Sequence, residues 1–213
     1  MSVTIYVEGG GVGDPSLTKC RKGFRIFFER MLPGKDRVEV VACGSRSEAF
    51  KKFRTAQQGV MPGDYVILLV DSEESVEPHV SPWDHLGKRE GDKWPKPKSA
   101  TDDQVHLMVQ CMEAWFMADR EAVVEHFDKG LKTDDLPSPV NGDIERISKA
   151  TITAALEKAA RKVGKAMGTE KRAYHKVEDG FPLLERVDPE KVCKASKHAH
   201  RLRETLKKKL PDG

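Results

Sequence analysis

The chain has 213 residues and a formal net charge of +3, with 38% hydrophobic and 33% charged residues. That length can bury about 70% of its unfolded surface in one domain with a small appendage, and the composition is too apolar for a disordered chain. No apolar run reaches the roughly 18 residues that span a bilayer, the N-terminus shows no basic-then-apolar leader, and Cys20, Cys43, Cys111 and Cys193 lack paired spacing. The expectation is a cytoplasmic protein with reduced thiols and no membrane contact.

Taken in chain order, Val3 to Val7 is β-branched and aromatic and runs into Glu8-Gly9-Gly10-Gly11, a strand ending in a glycine turn. Leu17, Phe24, Phe27, Phe28 and Met31 recur at helical spacing up to Pro33-Gly34. Val38 to Cys43 reads as a second strand. Ser45, with Glu48 three positions on, has capping-box spacing for a helix that carries Ala49, Phe50 and Phe53 and ends near Gln58. After the turn at Pro62-Gly63-Asp64, the apolar run Tyr65 to Val70 fits a central strand covered on both faces. The order β-α-β-α-β predicts an open, mostly parallel α/β sheet.

Residues 72–103 hold four prolines, two tryptophans and the charged tip Lys88 to Lys93, which predicts a long ordered loop with a helical turn near Trp83-Leu86. Val105 to Val109 is a candidate fourth strand, followed by a helix over Met112–Asp119 and another over Arg120–Phe127. Beyond a polar linker, helices are predicted over Ile144–Ser148, Ile152–Met167, Gly180–Arg186 and Lys197–Leu210, with a short one starting at Pro189. This divides the chain into an α/β domain, 1–128, and a mainly helical C-terminal region, 129–213, packed on it. Charge is uneven along the chain as well. Arg146 to Gly213 carries 18 basic and 9 acidic residues, and the first 145 residues carry 19 basic and 25 acidic. A basic face attracts phosphates or an acidic partner, and is equally the ordinary dress of a solvated helix.

The chemistry points to carboxylates at strand ends. Glu8 ends the first strand; Asp71 and Glu73 follow the third. In a parallel sheet the carboxyl ends share one edge, so these side chains can converge although 63 positions divide Glu8 from Asp71. Close carboxylates repel unless a cation or a raised pKa relieves them, and hard oxygens suit Mg²⁺ or Mn²⁺. Asp71 and Glu73 point to one side if extended geometry continues; the plain alternative is a turn-forming Asp71. Glu113 is a further carboxylate on a half-apolar face, with an ion pair to Arg21 or Arg46 as the structural reading. Arg46, at the start of the second helix, can hold a phosphate or pair with Glu48 or Glu73. His106, on the fourth strand, is a general acid or base or a satisfied core residue. Gly9-Gly10-Gly11-Val12-Gly13 fits neither the Walker nor the dinucleotide pattern, though its backbone can approach an anion. Lys171, Arg172, Tyr174, His175 and Lys176 form a basic and aromatic cluster suited to nucleic acid or to a solvated turn.

Several segments carry a resemblance: Tyr6-Val7-Glu8-Gly9-Gly10-Gly11, Cys43-Gly44-Ser45-Arg46, Leu68-Leu69-Val70-Asp71-Ser72-Glu73, Trp83-Asp84-His85-Leu86, Asp102 to Gln110, Met112-Glu113-Ala114-Trp115, Phe181-Pro182-Leu183-Leu184 and Asp188 to Val192. They resemble a bacterial family of unknown function, number 4276 in the domain-of-unknown-function series, over most of the chain. That family looks like a TOPRIM relative. TOPRIM domains of topoisomerases, primases and overcoming-lysogenization-type nucleases place a Glu after strand one and Asp-x-Asp after strand three. Glu8 and Asp71 match, and Glu73 departs from the second Asp. The resemblance implies a TOPRIM-like, Rossmann-like fold and a metal-dependent nuclease acting on DNA or RNA, with Mg²⁺ or Mn²⁺ held by Glu8, Asp71 and Glu73. Glu113, Arg46 and His106 are the further site residues. It also implies an effector role in anti-phage defence beside an ATPase partner. The alternative is a non-catalytic TOPRIM-like subunit that binds or regulates a partner. Self-association is compatible with either.

Overall fold

Strands Val3–Gly10 (β1), Val38–Gly44 (β2), Tyr65–Asp71 (β3) and Val105–Met108 (β4) form one sheet in the order β2-β1-β3-β4. All three pairings are parallel. This is a computed structural model, and it describes residues 2–11, 13–34, 38–59, 61–128, 130–168 and 172–210. Val12 of the glycine run and Lys171 of the basic cluster lie outside the described residues. Helices Asp14–Met31 (α1), Arg46–Gln58 (α2), Pro82–Lys88 (α3), Arg120–Phe127 (α4), Lys149–Ala166 (α5), Phe181–Arg186 (α6), Pro189–Ala195 (α7) and Lys197–Lys209 (α8) flank it. The architecture is an α/β, Rossmann-like open sheet, all parallel. Among the described residues no helix is long and apolar enough to cross a membrane.

The two faces of β3 explain its unbroken apolar run. Val66, Leu68 and Val70 pack with Val105, Leu107 and Val109, with Phe50 and Phe53 of α2 and with Trp83 and Leu86 of α3. Ile67 and Leu69 point the other way, into a larger core shared with Val3, Ile5 and Val7 of β1. Successive strand side chains alternate in direction, so each face needs its own apolar layer. On that larger side α1 buries Cys20, Phe24, Phe27, Phe28 and Met31. Phe27 stacks on the fully buried Trp115 at 4.9 Å between ring centres, and Phe24 meets it edge-on at 6.4 Å. Each such aromatic contributes about 1.5–3 kcal/mol by leaving water.

The C-terminal helices join this core. Ile152, Leu156, Phe181, Leu184, Leu202 and Leu206 belong to the same continuous apolar cluster as β1. Several local expectations change. Met112–Ala118 is a 3₁₀ segment, not an α-helix, and all of Met112 to Met117 is buried, Glu113 included. With no solvated face there is no amphipathic α-helix to form. Ile144–Arg146 is a single 3₁₀ turn. Helix α5 starts three residues earlier than its apolar periodicity suggests, because Ser148 caps it by accepting the Thr151 N–H at 3.2 Å. That shift puts Lys149 in the first turn, and its position bears on the site.

A candidate metal centre at the carboxyl edge of the sheet

Register brings the strand ends together. Val7 of β1 lies opposite Leu69 of β3, and Asp71 lies opposite Met108 of β4. Glu8, still within β1, therefore stands one residue beyond that pairing, beside the end of β3. Its Oε2 accepts the Asp71 backbone N–H at 3.2 Å. Asp71 is buried, and its Oδ1 accepts the Met112 N–H at 2.7 Å, which locks the start of the 3₁₀ segment to the end of β3.

Glu73 arrives by a route other than the one expected. Extended geometry stops at Ser72, and Glu73 has a left-handed backbone, φ 67°, which non-glycine residues seldom adopt. Its N–H donates to the Gln110 carbonyl at 2.8 Å, so two chain segments hold that conformation. The result is that Glu8, Asp71 and Glu73 each offer an oxygen within 4.8 Å of the others.

Arg46 organises one flank. Ser45 caps α2 by accepting the Glu48 N–H at 3.2 Å, and Arg46 follows as the first helical residue. Gly44 before it has φ 78°, and a Cβ there would sit 2.6 Å from the Gly11 carbonyl, so only glycine lets the turns after β1 and β2 lie this close. The Arg46 Nη1 donates to Glu8 Oε2 at 2.9 Å and to the Asp71 carbonyl at 2.8 Å. Its Nε and Nη2 donate to the two oxygens of Asp92 at 2.8 and 2.7 Å. Four of its five N–H groups are thereby committed. Asp92 comes from the charged tip of the 72–103 loop, and its side chain is only 1% exposed. Burial raises its carboxyl, but Arg46 and Arg89 outweigh that and hold it below the ordinary aspartate value. The loop tip thus returns to the sheet edge, where Trp94 stacks on Phe50 at 4.4 Å and lies 5.2 Å from the Arg46 guanidinium.

The opposite flank comes from the C-terminal region. Lys149 pairs with Glu73 Oε2. Lys176 lies 3.5 Å from Asp71 Oδ2 and 3.6 Å from Glu113 Oε1. Burial disfavours the Lys176 charge, yet Asp71, Glu113 and Glu8 outweigh it and raise its pKa. Tyr174 donates to Glu113 Oε1 at 3.3 Å. Gly180 keeps that tyrosine in place, since a Cβ there would meet its hydroxyl at 2.5 Å. Even with these cations present, negative charge remains in surplus. Burial, then the neighbouring Asp71, pushes the Glu8 carboxyl up to about 7 against the pull of Arg46 and Lys176. Burial likewise raises Asp71.

A family model described as a domain of unknown function, DUF4276, matches residues 14–207. The chain belongs to that family. No curated protein matches it, and no solved structure does. The DUF4276 match takes in Arg46, Asp71, Glu73, Asp92, Glu113, Lys149 and Lys176, and begins after Glu8.

Five of the six candidate residues meet within this DUF4276 chain. Glu8, Asp71 and Glu73 converge, Arg46 clamps them, and Glu113 joins through Lys176, not through Arg21 or Arg46. His106 does not. It pairs with Leu69, one pleat back from the edge, and its ring contacts the Asp103 carbonyl at 3.1 Å and Arg201 of α8 at 3.4 Å. Burial, with Arg201 beside it, takes its pKa down to about 3, as for a neutral core histidine. Residues that the sequence reading passed over are Asp92, Lys149, Lys176 and Tyr174. The last two stood in the basic and aromatic cluster, but they turn inward onto carboxylates instead of outward to solvent.

Proposed function

We propose that this DUF4276 protein is a metal-dependent phosphodiesterase acting on DNA or RNA, of TOPRIM type, with Glu8, Asp71 and Glu73 as its metal ligands. The observation that carries the reading is the approach of three carboxylate oxygens, from two strand ends, to within 4.8 Å of one another. The donor set is all hard oxygen, which fits Mg²⁺ or Mn²⁺, and the burial and carboxylate crowding that raise Glu8 and Asp71 are offset by a divalent cation. Such an ion supplies Lewis-acid polarisation of a phosphodiester and acidification of water.

The chain's own groups supply the rest. Glu8 Oε2 is held by Arg46 and the Asp71 N–H, leaving Oε1 without a hydrogen bond among the described residues. Burial and Asp71 raise that carboxyl to about 7 without a cation, and a bound cation would lower it, so Glu8 serves as a ligand. Arg46 is a positioning residue: it fixes Glu8 and the Asp71 carbonyl and ties the loop tip over the edge. Lys149, with its side chain 41% exposed, turns from Glu73 to an incoming phosphate oxygen once the carboxylate is engaged elsewhere. Service as the toxic subunit of an ATPase-partnered defence system extends this reading on the TOPRIM resemblance alone.

One observation favours a second reading. Arg46, Lys149 and Lys176 already supply three positive charges to the cluster, and a non-catalytic subunit needs no more. The test is purified protein with plasmid, single-stranded DNA and total tRNA, in Mn²⁺ or EDTA, alongside Asp71→Asn. The Asn variant keeps an oxygen for the Met112 N–H and removes only the charge. Mn²⁺-dependent cleavage lost in Asp71→Asn supports the enzyme. Absence of both cleavage and a Mn²⁺-dependent rise in Tm supports the binding subunit.

A further inference from the structure

We propose that the cleft beside Glu73 is a subsite for one unstacked nucleotide of a single strand, with Arg146 and Lys197 as its phosphate contacts. This rests on the phosphodiesterase reading and names the form of its substrate. The cleft has a volume of about 550 Å³, within the range of small-ligand sites. Its lining includes Ser75, two residues past Glu73, and Gln110. Gln110 also belongs to the candidate centre: its carbonyl accepts the Glu73 N–H at 2.8 Å, and its side-chain oxygen accepts the Lys149 N–H at 3.2 Å. Gln110 thus joins the candidate centre to the cleft.

The lining chemistry selects the occupant. Val76, Pro78 and Val109 give an apolar wall for a sugar or base face. Arg146, at the end of the 3₁₀ turn, and Lys197, the first residue of α8, are both exposed and have no ion pair or hydrogen bond from their side chains among the described residues. The site cations differ in this respect, since Arg46, Lys149 and Lys176 are each paired with carboxylates. One of the cleft's three acidic groups is engaged elsewhere. Glu145 is buried against His198 Nδ1 at 2.8 Å and the Ser196 hydroxyl at 2.6 Å. Asp143 caps the Glu145 N–H at 2.8 Å. Glu77 and Asp143, the latter accepting only a backbone N–H, keep their charge beside the two cations. A base in a duplex is stacked and faces its partner strand, so a nucleotide seated in a recess needs a single strand or a frayed end.

The experiment is fluorescence anisotropy of short labelled single strands, DNA and RNA, and of a blunt duplex, in EDTA across a salt series. Cleavage in Mn²⁺ is followed in parallel. The proteins are wild type, Arg146→Gln/Lys197→Gln, Ser75→Glu, and Lys51→Gln/Lys52→Gln as an equal charge change on α2. The expected result is single-strand binding weakened about tenfold in Arg146→Gln/Lys197→Gln, with the slope of log affinity against log salt reduced by about 1.4, two phosphates' worth. Ser75→Glu weakens binding too, and the α2 variant binds like wild type. Equal weakening in both double variants, or a wild-type preference for duplex, overturns the subsite while leaving a cleaving enzyme intact. Binding through Arg146 and Lys197 with no cleavage in Mn²⁺ supports the subsite and overturns the phosphodiesterase. No binding to any strand overturns both.

Discussion

The two flanks of the carboxylate cluster carry similar charge by different means. On the α2 side Arg46 spends a planar fork on Asp92, Glu8 and the Asp71 carbonyl at 2.7–2.9 Å, with its side chain 15% exposed. On the C-terminal side Lys176 sits 3.5 Å from Asp71 as a point charge, and Lys149 reaches Glu73 from a side chain 41% exposed. Guanidinium forks fix geometry, whereas ammonium groups supply charge without fixing direction. The arginine flank is therefore a scaffold, and under the proposed metal site the lysine flank is the counter-charge that an ion or a phosphate would displace.

Breaking the scaffold has the largest expected effect. Arg46→Lys keeps the charge and loses the fork, leaving Asp92 buried without its bidentate partner. With Arg89 still paired to Asp92, loss of the charge-assisted fork costs about 1.5–3 kcal/mol, read as a lower urea midpoint at unchanged m. An unchanged midpoint removes the distinction between the flanks. Next comes pH. The Glu8 carboxyl is raised to about 7 in the folded state from an ordinary 4.5. The folded chain holds that proton where the unfolded chain has released it. The contribution is thus complete below the unfolded value and lost as pH rises through about 7. With allowance for solvent screening the loss is about 2 kcal/mol. In metal-free protein, Glu8→Gln flattens this fall; a slope identical in the variant contradicts the assignment.

Smaller effects sharpen the lysine side. Lys176→Gln removes a cation that competes for Asp71, so Mn²⁺ binding tightens roughly tenfold, measured by titration calorimetry. Weaker binding would make Lys176 part of the scaffold. Lys149→Gln changes stability by about 0.5 kcal/mol or less, as for an exposed pair, and shows its effect in strand binding instead.

The same contrast governs what could be read in advance. Glu8, Asp71 and Glu73 were legible because parallel strands must end along one edge, whatever the helices do. The route of Glu73 was not, because its left-handed φ depends on the Gln110 carbonyl 37 positions away. Asp92 stood in a run of charges that read as a solvated loop tip; its burial follows from a bidentate partner that the local pattern does not name. Lys149, Tyr174 and Lys176 reach the site only after α5 and the 172–180 segment pack on the core, which no local periodicity encodes. Of the two readings left open for His106, the core residue fits its place: register sets it one pleat back from the end of β4, against α8.

The central claim is that these carboxylates hold one divalent site. Titration calorimetry of Mn²⁺ into metal-free wild type, Asp71→Asn and Glu73→Gln tests it most directly. Saturable binding in the wild type, abolished in Asp71→Asn and weakened in Glu73→Gln, is the predicted result. No heat of binding in the wild type, or equal affinity in Asp71→Asn, contradicts it.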